Sequence, residues 1–142
     1  MKIMFVRHAE PYYAIDSLTE KGHREAQLLA ERLSKLDVKA FYTSPLGRAR
    51  ETGRYTLEKV GREAEVLPWL AEFRGRSLDP ENGHHRIPWD YKPSIWMDRK
   101  ELRDMEAWLS DPLMTDGDVA QIWRETTDGL DALLARHGYV RD

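Results

Sequence analysis

The sequence predicts an α/β fold of three layers, αβα, built around a mostly parallel sheet. Two short apolar runs, residues 3–6 and 38–42, are continuous rather than alternating, as in strands buried on both faces. Each precedes a stretch with helical apolar spacing, and a third short run, Glu65-Val66-Leu67, follows the second of these. Strand–helix–strand–helix–strand at this spacing requires crossover connections, which are right-handed and place helices on both faces of a parallel sheet.

The first strand is expected over residues 2–7, where Ile3, Met4, Phe5 and Val6 end abruptly in Arg7-His8. The run is too short for a signal-peptide core, and Ala9-Glu10 would be a poor cleavage context. Residues 11–17 read as loop. Thr19 is the expected N-cap of a helix reaching about residue 36, with Glu20 complementing the dipole. Ala26, Leu29, Ala30, Leu33 and Leu36 form its apolar stripe, while Arg24, Glu25, Glu31, Arg32 and Lys35 fall elsewhere; His23 is read as surface. The second strand is expected over 38–43. Ser44 as N-cap and Pro45 at the first helical position then open a second helix, with Leu46, Ala49, Gly53, Leu57 and Val60 inward and Gly61 closing it. Pro68 stops the third strand.

Residues 73–97 break periodicity with Gly75, Pro80, Gly83, Pro88 and Pro93, and scatter Trp89, Tyr91 and Trp96 among them. A lid-like excursion is expected there, its aromatic content favouring packing over disorder. Helices are expected over 98–109 and 116–137, the latter with Val119, Ile122, Trp123, Leu130, Leu133 and Leu134 inward and Gly138 as its stop.

The length of 142 residues suits one domain, residues 1–142. Lys and Arg total 22 against 25 Asp and Glu, a net charge of −3 that offers no basic footprint for nucleic acid and no polybasic membrane patch. No apolar stretch approaches the roughly 20 residues of a transmembrane helix. With no cysteine, disulfides and thiolate metal sites are excluded, which fits a cytoplasmic protein.

The chemistry concentrates at the ends of the first two strands. In open α/β sheets ligands bind beyond the carboxyl ends of the strands, where Arg7-His8 falls. A histidine can attack phosphorus when one ring nitrogen is unprotonated and the other is held by an acceptor, and Arg7 can neutralise phosphoryl oxygens. The plainer alternative is a surface turn. A helix opening at Ser44-Pro45 directly after a strand is an anion site through its free N–H groups. Arg48 in its first turn is unfavourable to the dipole, so a bound dianion would explain it; exposure to solvent, or pairing with Glu51 or Glu72, would too. Glu72, beyond the third strand, suits an acid/base near a phosphoryl pocket, or is a solvated loop carboxylate.

Three blocks carry a resemblance: Val6-Arg7-His8-Ala9-Glu10, then Leu18-Thr19-Glu20-Lys21-Gly22 with Ala26, then Tyr42-Thr43-Ser44-Pro45-Leu46-Gly47-Arg48-Ala49-Arg50-Glu51-Thr52. In order and spacing they closely resemble the histidine phosphatase superfamily, also called phosphoglycerate mutase-like. The resemblance covers residues 2 to about 73 well and the rest loosely. It implies His8 as the phosphorylated nucleophile, Arg7 and Arg48 as phosphate ligands, Glu72 as proton donor, and neither metal nor organic cofactor.

Family members usually carry Gly at Ala9, a hydroxyl residue at Pro11 and often Asn at Ala14; the last two departures lower the expectation of mutase activity. The family's second pocket histidine, on a strand after the last long helix, has no match here. His137 lies at a helix end, and adjacent His84 and His85 suit a solvated loop. The chain is therefore expected to lack its C-terminal strand or strands and to turn over weakly. A small phosphorylated substrate is the expected partner, and an exposed sheet edge makes a homodimer a further expectation. The leading expectation is a phosphomonoester hydrolase using a phosphohistidine; the alternatives are a phosphoglycerate-type mutase and a non-catalytic phosphate-binding or scaffold module. Trp69, Phe73, Trp89, Tyr91 and Trp96 are read as core and lid packing ahead of a pocket for an apolar leaving group.

Overall fold

A computed structural model describes residues 2–141. The chain divides into two compact units, Met1–Ala71 and Glu72–Asp142. The described residues form five helices and three two-stranded sheets, one parallel and two antiparallel. The class is α/β as expected, but the broad, mostly parallel sheet is not assembled among them. No described helix is long and apolar enough to cross a membrane.

The first unit contains β1 (Pro11–Tyr12), β2 (Ser17–Leu18), α1 (Glu20–Leu33), β3 (Tyr42–Thr43), α2 (Gly47–Val60) and β4 (Glu65–Val66). Parallel pairing sets Tyr42 opposite Glu65 and Thr43 opposite Val66, with α2 as the crossover. The Glu65 N–H donates to the Phe41 carbonyl and the Leu67 N–H to Thr43. Thr19 caps α1 as expected, its hydroxyl accepting from the Gly22 N–H at 3.0 Å. Gly61 ends α2 in the left-handed region (φ 63°), where only the absence of a Cβ is free of strain.

Several expectations fail in this unit. Residues 2–9 carry neither helix nor strand, and Ile3, Met4, Phe5 and Val6 are 47–77% exposed. A strand buried on both faces needs a partner at each edge, and among the described residues nothing pairs with this one. The second strand shrinks to its last two residues, because only Tyr42 and Thr43 meet β4. Another concerns α2, which starts at Gly47 with Leu46 at the cap; Ser44 Oγ accepts from the Leu46 N–H, at 3.3 Å. Its buried residues are Arg48, Thr52 and Thr56, not the apolar set expected. The buried residues of α1 are Gly22, Ala26 and Ala30, so side chains too small to cover Leu or Val line its inner stripe. His23 is half-buried rather than surface, its Nδ1 3.0 Å from the Tyr55 hydroxyl of α2, and Lys59 pairs with Glu31 across the same two helices.

Residues 9–22 are fastened between α1 and α2. The Ala9 N–H donates to Thr52 Oγ1 at 3.0 Å, and the Thr52 hydroxyl donates to the Arg48 carbonyl. The Glu10 N–H donates to Glu25, the Thr19 N–H donates to the Glu10 carbonyl, and the Thr19 hydroxyl donates to the Glu10 carboxylate at 2.6 Å. A Cβ on Gly22 would overlap the Glu10 carbonyl oxygen, and one on Gly47 the Asp16 carbonyl oxygen.

The second unit begins with a hairpin of β5 (Ser77–Leu78) and β6 (His85–Arg86), followed by α3 (Pro93–Asp98), α4 (Pro112–Thr115) and α5 (Val119–Arg136). Buried Asp79 organises the hairpin turn, accepting from the Glu81 N–H, Asn82 and Arg86. Tyr91, Leu102, Met114 and Val119 form the core, with Phe73, Ile95, Trp96, Trp108, Leu109 and Leu113 around them. Aromatic residues of the 73–97 stretch pack on one another: Phe73 lies 5.3 Å from Trp89 and Trp89 stacks on Trp96 at 5.7 Å. The helix expected over 98–109 is replaced by two 3-10 turns, Glu101–Arg103 and Trp108–Ser110. Asp104 explains the break, because its side chain accepts from the Glu106 and Ala107 N–H groups and draws the chain into a local turn. The last helix forms at nearly its expected place, and Gly138 follows it at φ 81°.

Two outcomes follow from this packing. Gly22→Ala drives a methyl into the Glu10 backbone and should destabilise by about 1–3 kcal/mol, whereas Gly53→Ala, whose Cβ meets only Leu57 Cδ1 at 4.0 Å, should stabilise by about 0.5–1 kcal/mol. Thermal unfolding of the two variants should move in opposite directions. The Thr19 hydroxyl holds the Glu10 carboxyl, and the Glu81 N–H holds that of Asp79, below the ordinary carboxylate range. Such depressed groups contribute stability that is complete above about pH 5 and is lost as pH falls through their lowered values. The unfolding midpoint should accordingly be level above that pH and drop below it.

Candidate active site

Among the expected site residues, the first unit holds Arg7, His8 and Arg48. Arg7 is exposed at the end of the unpaired N-terminal segment, and His8 beside it is half-buried. The turn that follows β1 puts Tyr13 against both His8 and Arg48: its ring lies 6.5 Å from the His8 ring, edge to face, and 5.4 Å from the Arg48 guanidinium carbon. His8 and Arg48, forty residues apart in sequence, thus share one aromatic neighbour. Glu72 is the first residue of the second unit and is exposed.

The His8 imidazole is oriented by its own chain. Nδ1 is 2.8 Å from the Ala9 carbonyl oxygen, which can only accept, so Nδ1 is the donor, and in the neutral ring Nε2 is the nitrogen with the lone pair. The Ala9 amide is itself held by Thr52, so the group that orients the ring is anchored to α2.

Arg48 is only 8% exposed. A guanidinium so far from water needs a counter-charge, and Asp16 supplies it: Nη1 donates to Oδ1 at 2.6 Å. The other oxygen, Oδ2, accepts from the Gly47 N–H at 2.6 Å. These contacts, the Gly47 N–H foremost, hold the Asp16 carboxyl below its ordinary range. The first turn of α2 therefore meets a carboxylate, the charge complement that a helix N-terminus favours.

Asp16, Tyr13 and Thr52 had not been singled out from the sequence. Thr52 had a local signal, since it stands four residues after Arg48 on one helical face. Asp16 and Tyr13 had none, because their proximity to Arg48 comes from the β1–β2 hairpin turning back on α2. An open cleft of about 820 Å³ adjoins this end of the unit, with Asp16, Thr43, Gly47, Arg50 and Arg54 among its walls; His8 and Arg48 are not among them. No group of three or more metal-ligating side chains gathers among the described residues.

Taken as chemistry, the arrangement offers an imidazole oriented through Nδ1 and a guanidinium held by Asp16, both against Tyr13, side chains of the kinds suited to a tetrahedral oxyanion. The sequence model of the histidine phosphatase superfamily (branch 1) matches residues 3–139. A 2,3-bisphosphoglycerate-dependent phosphoglycerate mutase of Thermoplasma acidophilum is 32% identical over 99 residues, 66% of this chain and 46% of that protein. A probable phosphoglycerate mutase GpmB of Serratia proteamaculans is 32% identical over 82 residues, 51% of this chain and 38% of that one. The chain thus spans less than half the length of these curated relatives. In fold it is similar to a mycobacterial glucosyl-3-phosphoglycerate phosphatase in complex with VO3, at 21% identity and a TM-score of 0.50, covering 90% of this chain and 64% of that one. On the match over nearly its whole length, the chain belongs to the histidine phosphatase superfamily.

Proposed function

We propose that this chain carries the nucleophilic and phosphate-binding part of a phosphomonoester hydrolase that works through a phosphohistidine. The observation that carries the reading is the His8 ring, whose Nδ1 donates to the Ala9 carbonyl, so that Nε2 is the nitrogen with a lone pair in the neutral ring. In the proposed reaction Nε2 attacks phosphorus in line with the ester oxygen. The N–P bond forms as the P–O bond breaks, and the departing alkoxide takes a proton from a general acid, the role that the sequence resemblance implies for Glu72. Water then attacks phosphorus, passes a proton to the conjugate base of that acid, and releases orthophosphate as the N–P bond breaks. Arg7 and Arg48 hold the equatorial oxygens, since phosphoryl transfer asks the protein mainly for positioning and charge neutralisation.

A mutase reading is favoured by one observation, the identity of the two curated relatives. Its first half is the same, and the phosphoryl group then passes to a second hydroxyl instead of water. Against it stand Pro11 and Ala14. Neither has a polar side chain to offer a phosphate. Product analysis with a phosphoglycerate separates the two, because hydrolysis liberates orthophosphate and transfer liberates an isomer.

The test is chemical trapping with an aryl phosphate labelled at phosphorus. The chain should acquire label that is acid-labile and base-stable, and His8→Ala should abolish the label and lower hydrolysis by about 10³-fold or more. Full hydrolysis by His8→Ala would show that another group is the nucleophile. Orthophosphate binding with neither label nor hydrolysis would instead establish a phosphate-binding module.

A further inference from the structure

Both oxygens of the Asp16 carboxylate are committed, Oδ2 to the Gly47 N–H and Oδ1 to Arg48 Nη1. One side chain thereby fixes both the first residue of α2 and the guanidinium that follows it. The backbone at Asp16 sits in the left-handed region, φ 49° and ψ 45°, and it is the one described non-glycine residue with positive φ. That conformation carries strain which Asp and Asn tolerate better than other side chains. The 3-10 turn Tyr13–Ile15 ends on Asp16, whose N–H donates back to the Tyr13 carbonyl. Turn and helix then meet so closely that only a glycine fits at position 47.

The same short turn touches Arg48 a second time, through the ring of Tyr13. A guanidinium gripped by a carboxylate and an aromatic ring has little freedom to rotate. Bidentate capture of a phosphoryl group depends on a fixed guanidinium plane. A cap for α2 alone would need one acceptor, not a charged pair with a nearly buried arginine.

We propose that Asp16 is the positioning residue for Arg48, holding the guanidinium plane and the first turn of α2 in the orientation that receives a phosphoryl group. The inference rests on the phosphoryl-transfer reading above. It assigns Asp16 no contact with substrate; its effect passes through Arg48. The opposite role for the same contact, an internal anion competing with phosphate, predicts the opposite sign of effect.

Asp16→Asn tests it, because Asn accepts the left-handed backbone and can still receive the Gly47 N–H, while the negative charge beside Arg48 is gone. Binding of inorganic phosphate to the full chain is measured by titration calorimetry, with stoichiometry and dissociation constant read separately. The expected result is an unfolding midpoint near that of the unsubstituted chain, unchanged stoichiometry, and affinity weaker by about tenfold. A purely structural role would lower the binding-competent fraction and leave the dissociation constant alone. Unchanged or tighter binding by Asp16→Asn overturns the positioning role and leaves the phosphoryl reading intact. Absence of phosphate binding by the unsubstituted chain overturns both. Should Asp16→Asn lose its cooperative transition, Asp16→Gly, at ease with the same backbone, is measured in its place under the same criteria.

Discussion

Two carbonyl oxygens, those of Glu10 and Asp16, lie 2.2 and 2.1 Å from where the Cβ atoms of Gly22 and Gly47 would be. Through these approaches the loop carrying His8 rests on the start of α1 and the turn carrying Asp16 rests on the start of α2. Each is then locked by hydrogen bonds that only short distances allow: the Thr19 N–H to the Glu10 carbonyl, and the Gly47 N–H to the Asp16 carboxylate. Van der Waals exclusion decides the geometry and hydrogen bonding stabilises it. The position of His8 relative to Arg48 is a consequence of both.

The interior of this unit is unusual in what it buries. Between α1 and α2 a stripe of Gly22, Ala26 and Ala30 is buried on one helix and Arg48, Thr52 and Thr56 on the other. Small side chains contribute little transfer free energy, so close backbone approach and satisfied polar groups carry more of the burden. Thr52 illustrates it, accepting from Ala9 and donating to Arg48 through one hydroxyl. The residues that hold the helix in place are the ones that orient the site.

The second unit follows a different logic. Indole and phenyl rings supply most of its packing, with Trp108 edge-on to Trp123 at 5.0 Å and Tyr91 buried and bonded through its hydroxyl to Ser77. Large rings bury much area per residue, which lets a segment with little regular secondary structure still form a core. Buried acids pin its turns: Asp79 gathers the hairpin, and Asp111 caps α4 while accepting from Arg99.

Local chemistry was enough to read several features from the chain itself. The Thr19 cap, the glycine ends after residues 60 and 137, the last helix and the parallel pairing of residues 42–43 with 65–66 each depend on neighbours in sequence or on a short crossover. The motif around His8 and Arg48 was legible for the same reason. Tertiary structure alone decided which face of α2 is buried, because the small stripe on α1 rewards close approach over apolar area. It also decided that residues 3–6 go unpaired among the described residues, since strand formation depends on a partner supplied from elsewhere. Asp16 reaches Arg48 only when a hairpin folds back across thirty-two positions, a contact set by excluded volume at one glycine and invisible to any local pattern.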